Sequence, residues 1–138
     1  MLKVFVDTAA WIALINSRDE FHGAAKQVMK DLYQQKVALV TTDFVLLEVA
    51  DALSNPLIRA QTVDFVDSLL QLSKFPALQI IPADRSLLLD GWNFYKQRSD
   101  KDWGLTDCIS FGVMSREQIT QAFTSDKHFE QAGFVRLL

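Results

Sequence analysis

The stretch Val4-Phe5-Val6-Asp7-Thr8-Ala9-Ala10-Trp11-Ile12-Ala13-Leu14 (VFVDTAAWIAL) opens on three strand-forming apolar residues and breaks on a carboxylate. Leu2 to Val6 combines β-branched and aromatic residues with no turn signal, which predicts a short β-strand. Thr8 to Asn16 is apolar without alternation and predicts a helix that begins directly after the strand. An acid at that junction stands at the carboxyl end of a strand, where open α/β sheets bind their ligands.

The same alternation continues along the chain. Phe21, Ala24, Ala25, Val28, Met29 and Leu32 have helical spacing within Phe21 to Gln35, and Val37 to Val40 is a second short strand. Thr41, Thr42 and Asp43 offer N-cap side chains to a helix through Phe44, Leu47, Val49, Ala50 and Leu53, which stops near Ser54-Asn55-Pro56. An amphipathic helix follows from about Arg59 to Leu72, then a third strand from Leu78 to Ile81, stopped by Pro82. Asp84 to Arg98 is helical and leads into a charged connection ending at Asp102; Thr106 is the expected cap of the next helix, which runs to about Glu117. Thr120 to Phe123 is a fourth strand, followed by Thr124-Ser125-Asp126, a short helix, and a last strand from Phe134 to Leu137. Strands alternating with helices predict one α/β domain over residues 1–138, with a mostly parallel central sheet of four or five strands and helices on both faces.

Composition narrows the chemistry. A chain of 138 residues with 49 % hydrophobic and 11 % aromatic content can bury a real core. The apolar run at the start is interrupted by Asp7 before it reaches signal-peptide length, and no run approaches the roughly 18 apolar residues of a membrane span, so a soluble, cytoplasmic protein is expected. Cys108 is the one cysteine, which excludes an internal disulfide and a cysteine zinc cluster. His22 and His128 are far apart in sequence, so a bound metal must be held by oxygen ligands. The net charge of −3 argues against holding nucleic acid by bulk electrostatics. A divalent cation can supply positive charge locally instead.

Four acids occupy the positions that such a fold gathers. Asp7 follows the first strand and Asp126 the fourth; Glu48 lies in the second turn of the helix after Thr41-Thr42, and Asp107 in the first turn after Thr106. Each has a structural explanation to set beside the functional one. Asp7 is a possible helix cap, Asp107 a favourable charge at a helix N-terminus, and Asp126 a turn residue. Glu48, inside Val45-Leu46-Leu47-Glu48-Val49-Ala50, is expected to face the core and is the hardest to explain as structure. Buried acids are costly unless paired or bound to a cation, and four together repel one another. Hard cations such as Mg²⁺ and Mn²⁺ prefer oxygen ligands and also touch substrate phosphates. Such a cluster suggests phosphodiester hydrolysis, with the metal polarising the phosphoryl oxygen and orienting an attacking hydroxide.

Together with TTDFVLLEVADAL, DKDWGLTDCISFGVM and TSDKHFEQAGF, the opening stretch resembles the PIN domain, and most closely the VapC-type toxin ribonucleases, over essentially the whole chain. The resemblance implies that Asp7, Glu48, Asp107 and Asp126 form the family's acidic quartet, and that Thr8 supports it through a hydroxyl that orients a carboxylate or a metal-bound water. Asp102, five residues before Asp107, is either an outer ligand or surface charge. The resemblance further implies Mg²⁺, or Mn²⁺, as cofactor, RNA as substrate, a homodimer, and inhibition by a cognate antitoxin protein. Two alternatives remain: a catalytically weak PIN-like module that binds RNA or protein, and a phospho-acceptor receiver domain. The receiver is weakened by the missing acidic pair after the first strand. Of the other residues, His22 is expected to be structural, Cys108 a small core residue, and His128, two residues after Asp126, a helix-surface histidine rather than a phosphate contact. Trp11 and Trp92 are packing candidates, and Trp103 either packs or stacks on a base. Arg98, Lys101, Arg116 and Lys127 are solvated surface charges or phosphate contacts.

Overall fold

The computed structural model describes residues 2–138; Met1, the first residue of the predicted domain, lies outside them. The chain runs β1 (Lys3–Val6), α1 (Thr8–Ile15), α2 (His22–Gln34), β2 (Ala38–Thr42), α3 (Asp43–Ala52), α4 (Pro56–Leu72), β3 (Leu78–Ile81), α5 (Arg85–Gln97), α6 (Leu105–Arg116), β4 (Gln121–Phe123), α7 (Lys127–Gln131) and β5 (Val135–Arg136). All five strands are parallel, in the order β3-β2-β1-β4-β5. Lys3, Val4 and Phe5 pair with Ala38, Leu39 and Val40, while Phe5 and Val6 pair with Ala122 and Phe123. Val4, Phe5 and Val6 are fully buried, which is the state of a central strand covered on both faces.

The order of the strands decides where chemistry can occur. From β1 the chain steps outward to β2 and β3, then returns across the sheet to place β4 on the other side of β1. The connections therefore diverge between β1 and β4, and the crevice beyond their carboxyl ends is the ligand-binding position of this architecture. Right-handed crossovers, the near-universal hand, put the helices before β3 on one face and those after it on the other. The contacts agree: α1 packs with α2, α3 and α4, and α6 packs with α5 and α7.

The two layers differ in character. On one side Phe111 of α6 is the centre of an aromatic cluster, with its ring centroid 4.9 Å from Phe129, 5.1 Å from Trp103 and 5.7 Å from Phe134. Truncating a side chain so buried costs about 3–5 kcal/mol. On the other side Trp11 meets Phe65 edge to face at 5.9 Å and donates from Nε1 to Thr41 Oγ1, which in turn donates to the Val6 carbonyl. Gly91 lets α5 approach α6, since a Cβ there would stand 3.0 Å from the Ile109 backbone.

Two helix starts differ from expectation. Asn55 and Pro56 lie past the end of α3 at Ala52 and begin α4: Asn55 Oδ1 accepts from the Leu57 amide, and Pro56 takes the first helical position, where its missing N–H costs nothing. The start of α6 is capped at Gly104 rather than Thr106, because Asp107 reaches back to accept from the Gly104 amide at 3.3 Å. Thr42 caps α3 as expected, accepting from Val45 N at 3.1 Å.

Candidate metal centre

Asp7 stands at the N-cap position of α1, yet its carboxylate makes no capping hydrogen bond. The β1 to β4 ladder continues through it, its amide donating to the Phe123 carbonyl at 3.1 Å, so the backbone fixes where it emerges. The side chain is 3 % exposed. Oδ2 accepts from the Thr124 hydroxyl at 2.8 Å, and Oδ1 is buried without a partner among the described residues. Burial pushes this carboxyl up to about 7; the Thr124 hydroxyl opposes that, while the charges of Asp107 and Asp126 add to it. An unpartnered buried carboxylate oxygen costs on the order of 1–3 kcal/mol, more if charged, and a cap does not explain it.

Asp126 is held from the neighbouring strand end. Its amide donates to Thr124 Oγ1 at 3.0 Å, and its carboxylate caps α7 by accepting from the His128 amide at 2.9 Å. Thr124 thus grips Asp7 with its proton and Asp126 with its oxygen. Asp107 comes from the first turn of α6, where burial raises its carboxyl to about 6, repulsion from Asp126 adds to the rise, and the Gly104 amide and His128 resist it. Asp7, Asp107 and Asp126 are therefore close enough to feel one another's charge.

His128 corrects the expectation of a helix-surface histidine. Its Nδ1 lies 3.2 Å from Asp107 Oδ2 and 3.1 Å from Asp126 Oδ1, and its Nε2 lies 3.2 Å from Asp102 Oδ1. Asp107, Asp126 and His128 each offer a ligand atom, all within 4.8 Å of one another. Asp102 itself is 84 % exposed and reaches the site only through the imidazole.

Glu48 also departs from expectation. It is exposed, as is Leu47, because Val45, Leu46 and Val49 take the inward face of α3. It makes no hydrogen bond or ion pair with the other acids among the described residues. Its helix starts at the carboxyl end of β2, the strand beside β1. Thr8 is buried with its hydroxyl unpartnered, next to Asp7. Trp103 is buried, stacked on Phe94 and bonded to Gln131, so it offers no face to a base. Trp92, expected to pack, is 44 % exposed. His22 bonds the Ala13 carbonyl at 2.7 Å and Cys108 is buried, as expected of structural residues. Arg98 pairs with Asp100 and Arg116 with Asp90.

The residues fit a hard divalent cation. Carboxylates converge at a strand-end crevice, one oxygen is buried and unpartnered, and burial, with the like charges adding to it, raises the carboxyls of Asp7 and Asp107. Thr124 is a residue the sequence reading does not single out, and His128 is one it places on a helix surface. The signal available was the spacing Thr-x-Asp-x-His directly after a strand, where a hydroxyl and an imidazole flank the acid.

Comparisons with known proteins agree with this fold. The model of the PIN domain family matches residues 4–135. The chain is similar to the 23S rRNA-specific endonuclease VapC20 of Mycobacterium tuberculosis, 30 % identical over 135 residues that make up 97 % of each chain. The crystal structure of that organism's VapC20, described as a Sarcin-Ricin loop cleaving toxin, superposes with a TM-score of 0.80 at 27 % identity over 96 % of each chain. The DNA-bound VapBC from Salmonella typhimurium shares the fold, with a TM-score of 0.69 at 14 % identity over 99 % of this chain and 96 % of that one.

Proposed function

The chain belongs to the PIN domain family, as a homologue of its VapC-type endonucleases, and on that premise we propose that it is a metal-dependent endoribonuclease. The observation that carries the proposal is the buried, half-satisfied carboxylate of Asp7 facing two further acids at the switch point of a parallel sheet. Mg²⁺, or Mn²⁺ in its place, would be held by Asp7, Asp107 and Asp126, with Glu48 joining from α3. When bound, such a cation supplies charge stabilisation to a phosphodiester and lowers the pKa of water.

The chain's own groups prepare that site. Thr124 fixes the plane of the Asp7 carboxylate, leaving Oδ1 free. The Gly104 amide orients Asp107, and Asp126 is set by its cap on α7. The Thr8 hydroxyl stands ready to orient a carboxylate or a water. With these groups locked before substrate arrives, little reorganisation remains for the reaction itself.

The proposed substrate is RNA, and the 23S rRNA named for the relative is the first to try. The same kinship suggests a toxin of a toxin–antitoxin pair, a homodimer restrained by a cognate antitoxin protein, one domain over residues 1–138 and a cytoplasmic location. No helix among the described residues is long and apolar enough to cross a membrane.

The test is cleavage of rRNA by the purified chain with Mg²⁺ or Mn²⁺, with EDTA, and with Asp7→Asn. Cleavage lost in EDTA and in the variant is expected; cleavage unchanged in either sinks the proposal. A second reading, a catalytically weak RNA- or protein-binding module, draws on His128, which already links three of the acids. It is favoured if titration calorimetry finds no Mg²⁺ or Mn²⁺ bound at the cluster.

A further inference from the structure

α7 is five residues long. Isolated helices need roughly 12–15 residues to be even marginally stable in water, so this one cannot hold its own shape. Yet the segment that contains it delivers Asp126 and His128 to the cluster. Its inner side is anchored by Phe129, fully buried against Phe5 and Phe111. That anchor sets the depth of the helix, and Trp103 Nε1 donates to Gln131 Oε1 at its far end, while the turn before it hangs on Thr124 and on one further contact.

The outer side is held by a residue with no role in the proposed chemistry. Arg136, on the edge strand β5, donates from Nη1 to the Ser125 carbonyl at 2.8 Å and from Nε to Glu130 Oε1 at 2.9 Å. One planar guanidinium thus grips the chain just before α7 and a side chain near its end. Ser125 lies between Thr124, which holds Asp7, and Asp126. We infer that Arg136 is a positioning residue of the metal centre, holding the turn before α7 through the Ser125 carbonyl so that Thr124 and Asp126 keep their geometry against Asp7.

The two bonds are unequal. Arg136 and Glu130 are 30 % and 53 % exposed, and ion pairs so placed contribute little by themselves. The bond to the Ser125 carbonyl is part-buried and directional, and the rigid fork of arginine suits it better than the flexible stem of lysine. The strap acts through that carbonyl.

This inference rests on the metal centre proposed above. It is tested by titration calorimetry of the full chain with MnCl₂, alongside melting temperatures in EDTA, for wild type, Arg136→Met, Arg136→Lys and Glu130→Gln. Arg136→Met is expected to weaken Mn²⁺ binding about 10–100-fold, the usual effect of removing a group that orients metal ligands, while its melting temperature in EDTA moves little. Arg136→Lys should recover part of the affinity. Glu130→Gln, which leaves the Ser125 bond in place, should stay within about twofold of wild type, as the exposure of that pair implies. A folded Arg136→Met that binds Mn²⁺ as wild type does overturns the inference and leaves the metal centre standing. If Arg136→Met does not fold, Arg136→Lys against Glu130→Gln decides: weaker binding in the lysine variant supports the strap, and equal binding overturns it. A wild type that binds no Mn²⁺ removes the metal centre, and the inference with it.

Discussion

The inner and outer halves of the acidic site are built differently. Asp7 and Asp126 follow neighbouring strand ends, Asp7 tied by a ladder hydrogen bond and both by one shared threonine, and Asp7 is 3 % exposed. Glu48 and Asp102 sit on a helix surface and in a connection, both exposed, with Asp102 tethered only through His128. Acids at strand ends are set by the fold before any ligand arrives, and their repulsion is part of the folded state. Acids on the outside carry no such strain and can move to meet a metal or a substrate. The inner half should therefore govern both stability and catalysis, and the outer half catalysis alone.

The largest expected effect is at Asp7. Asp7→Asn should lower RNA cleavage about a thousandfold or more, since several kcal/mol of charge stabilisation are lost with the cation, while the metal-free protein becomes more stable. The sign follows from the raised carboxyl. At about 7 against an ordinary 3.8, the folded chain keeps a proton that the unfolded chain has released. The Asp7 contribution to metal-free stability should thus be fully present below about pH 4, fall between pH 4 and pH 7, and level off above it. Urea denaturation in EDTA at pH 8 should show Asp7→Asn more stable by on the order of 2–4 kcal/mol, and its pH dependence much flattened. A variant less stable than wild type at pH 8 would erase the contrast between the halves.

Glu48→Gln comes next. It should slow cleavage about 10–100-fold and leave metal-free stability unchanged within roughly 0.5 kcal/mol, because the side chain is exposed. Thr124→Val removes the donor to Asp7 and should slow cleavage about tenfold, with Thr124→Ser restoring most of the rate, measured as kcat and as the Mn²⁺ concentration for half-maximal rate. Asp102→Asn should have the smallest effect, within about fivefold in rate, as an exposed partner of His128 contributes little. An Asp102 variant as damaged as Asp7→Asn would move the connection into the heart of the site.

The first three strands were legible because each is a short run that ends at an acid, a threonine pair or a proline, and parallel order follows from the helices between strands. The acids at strand ends were legible for the same reason, since the architecture itself points to them. What failed did so where local sequence competes with tertiary packing. Glu48 has apolar neighbours in sequence, but three of them, Val45, Leu46 and Val49, turn inward and leave it outside. Thr106 looks like a cap, but Asp107 reaching back to Gly104 moves the helix start two residues earlier. His128 and Trp103 are placed by the meeting of α7 with the connection before α6, over a separation no periodicity reports.

The most direct measurement is a crystal structure grown with MnCl₂, with the metal located by anomalous scattering. The account predicts one strong peak in the crevice beyond β1 and β4, at a carboxylate ligand distance of about 2.0–2.2 Å from Asp7 Oδ1 and near Asp107 and Asp126. Manganese held by Asp107, Asp126 and His128 with Asp7 Oδ1 still unpartnered, or no manganese in the crevice, would contradict it.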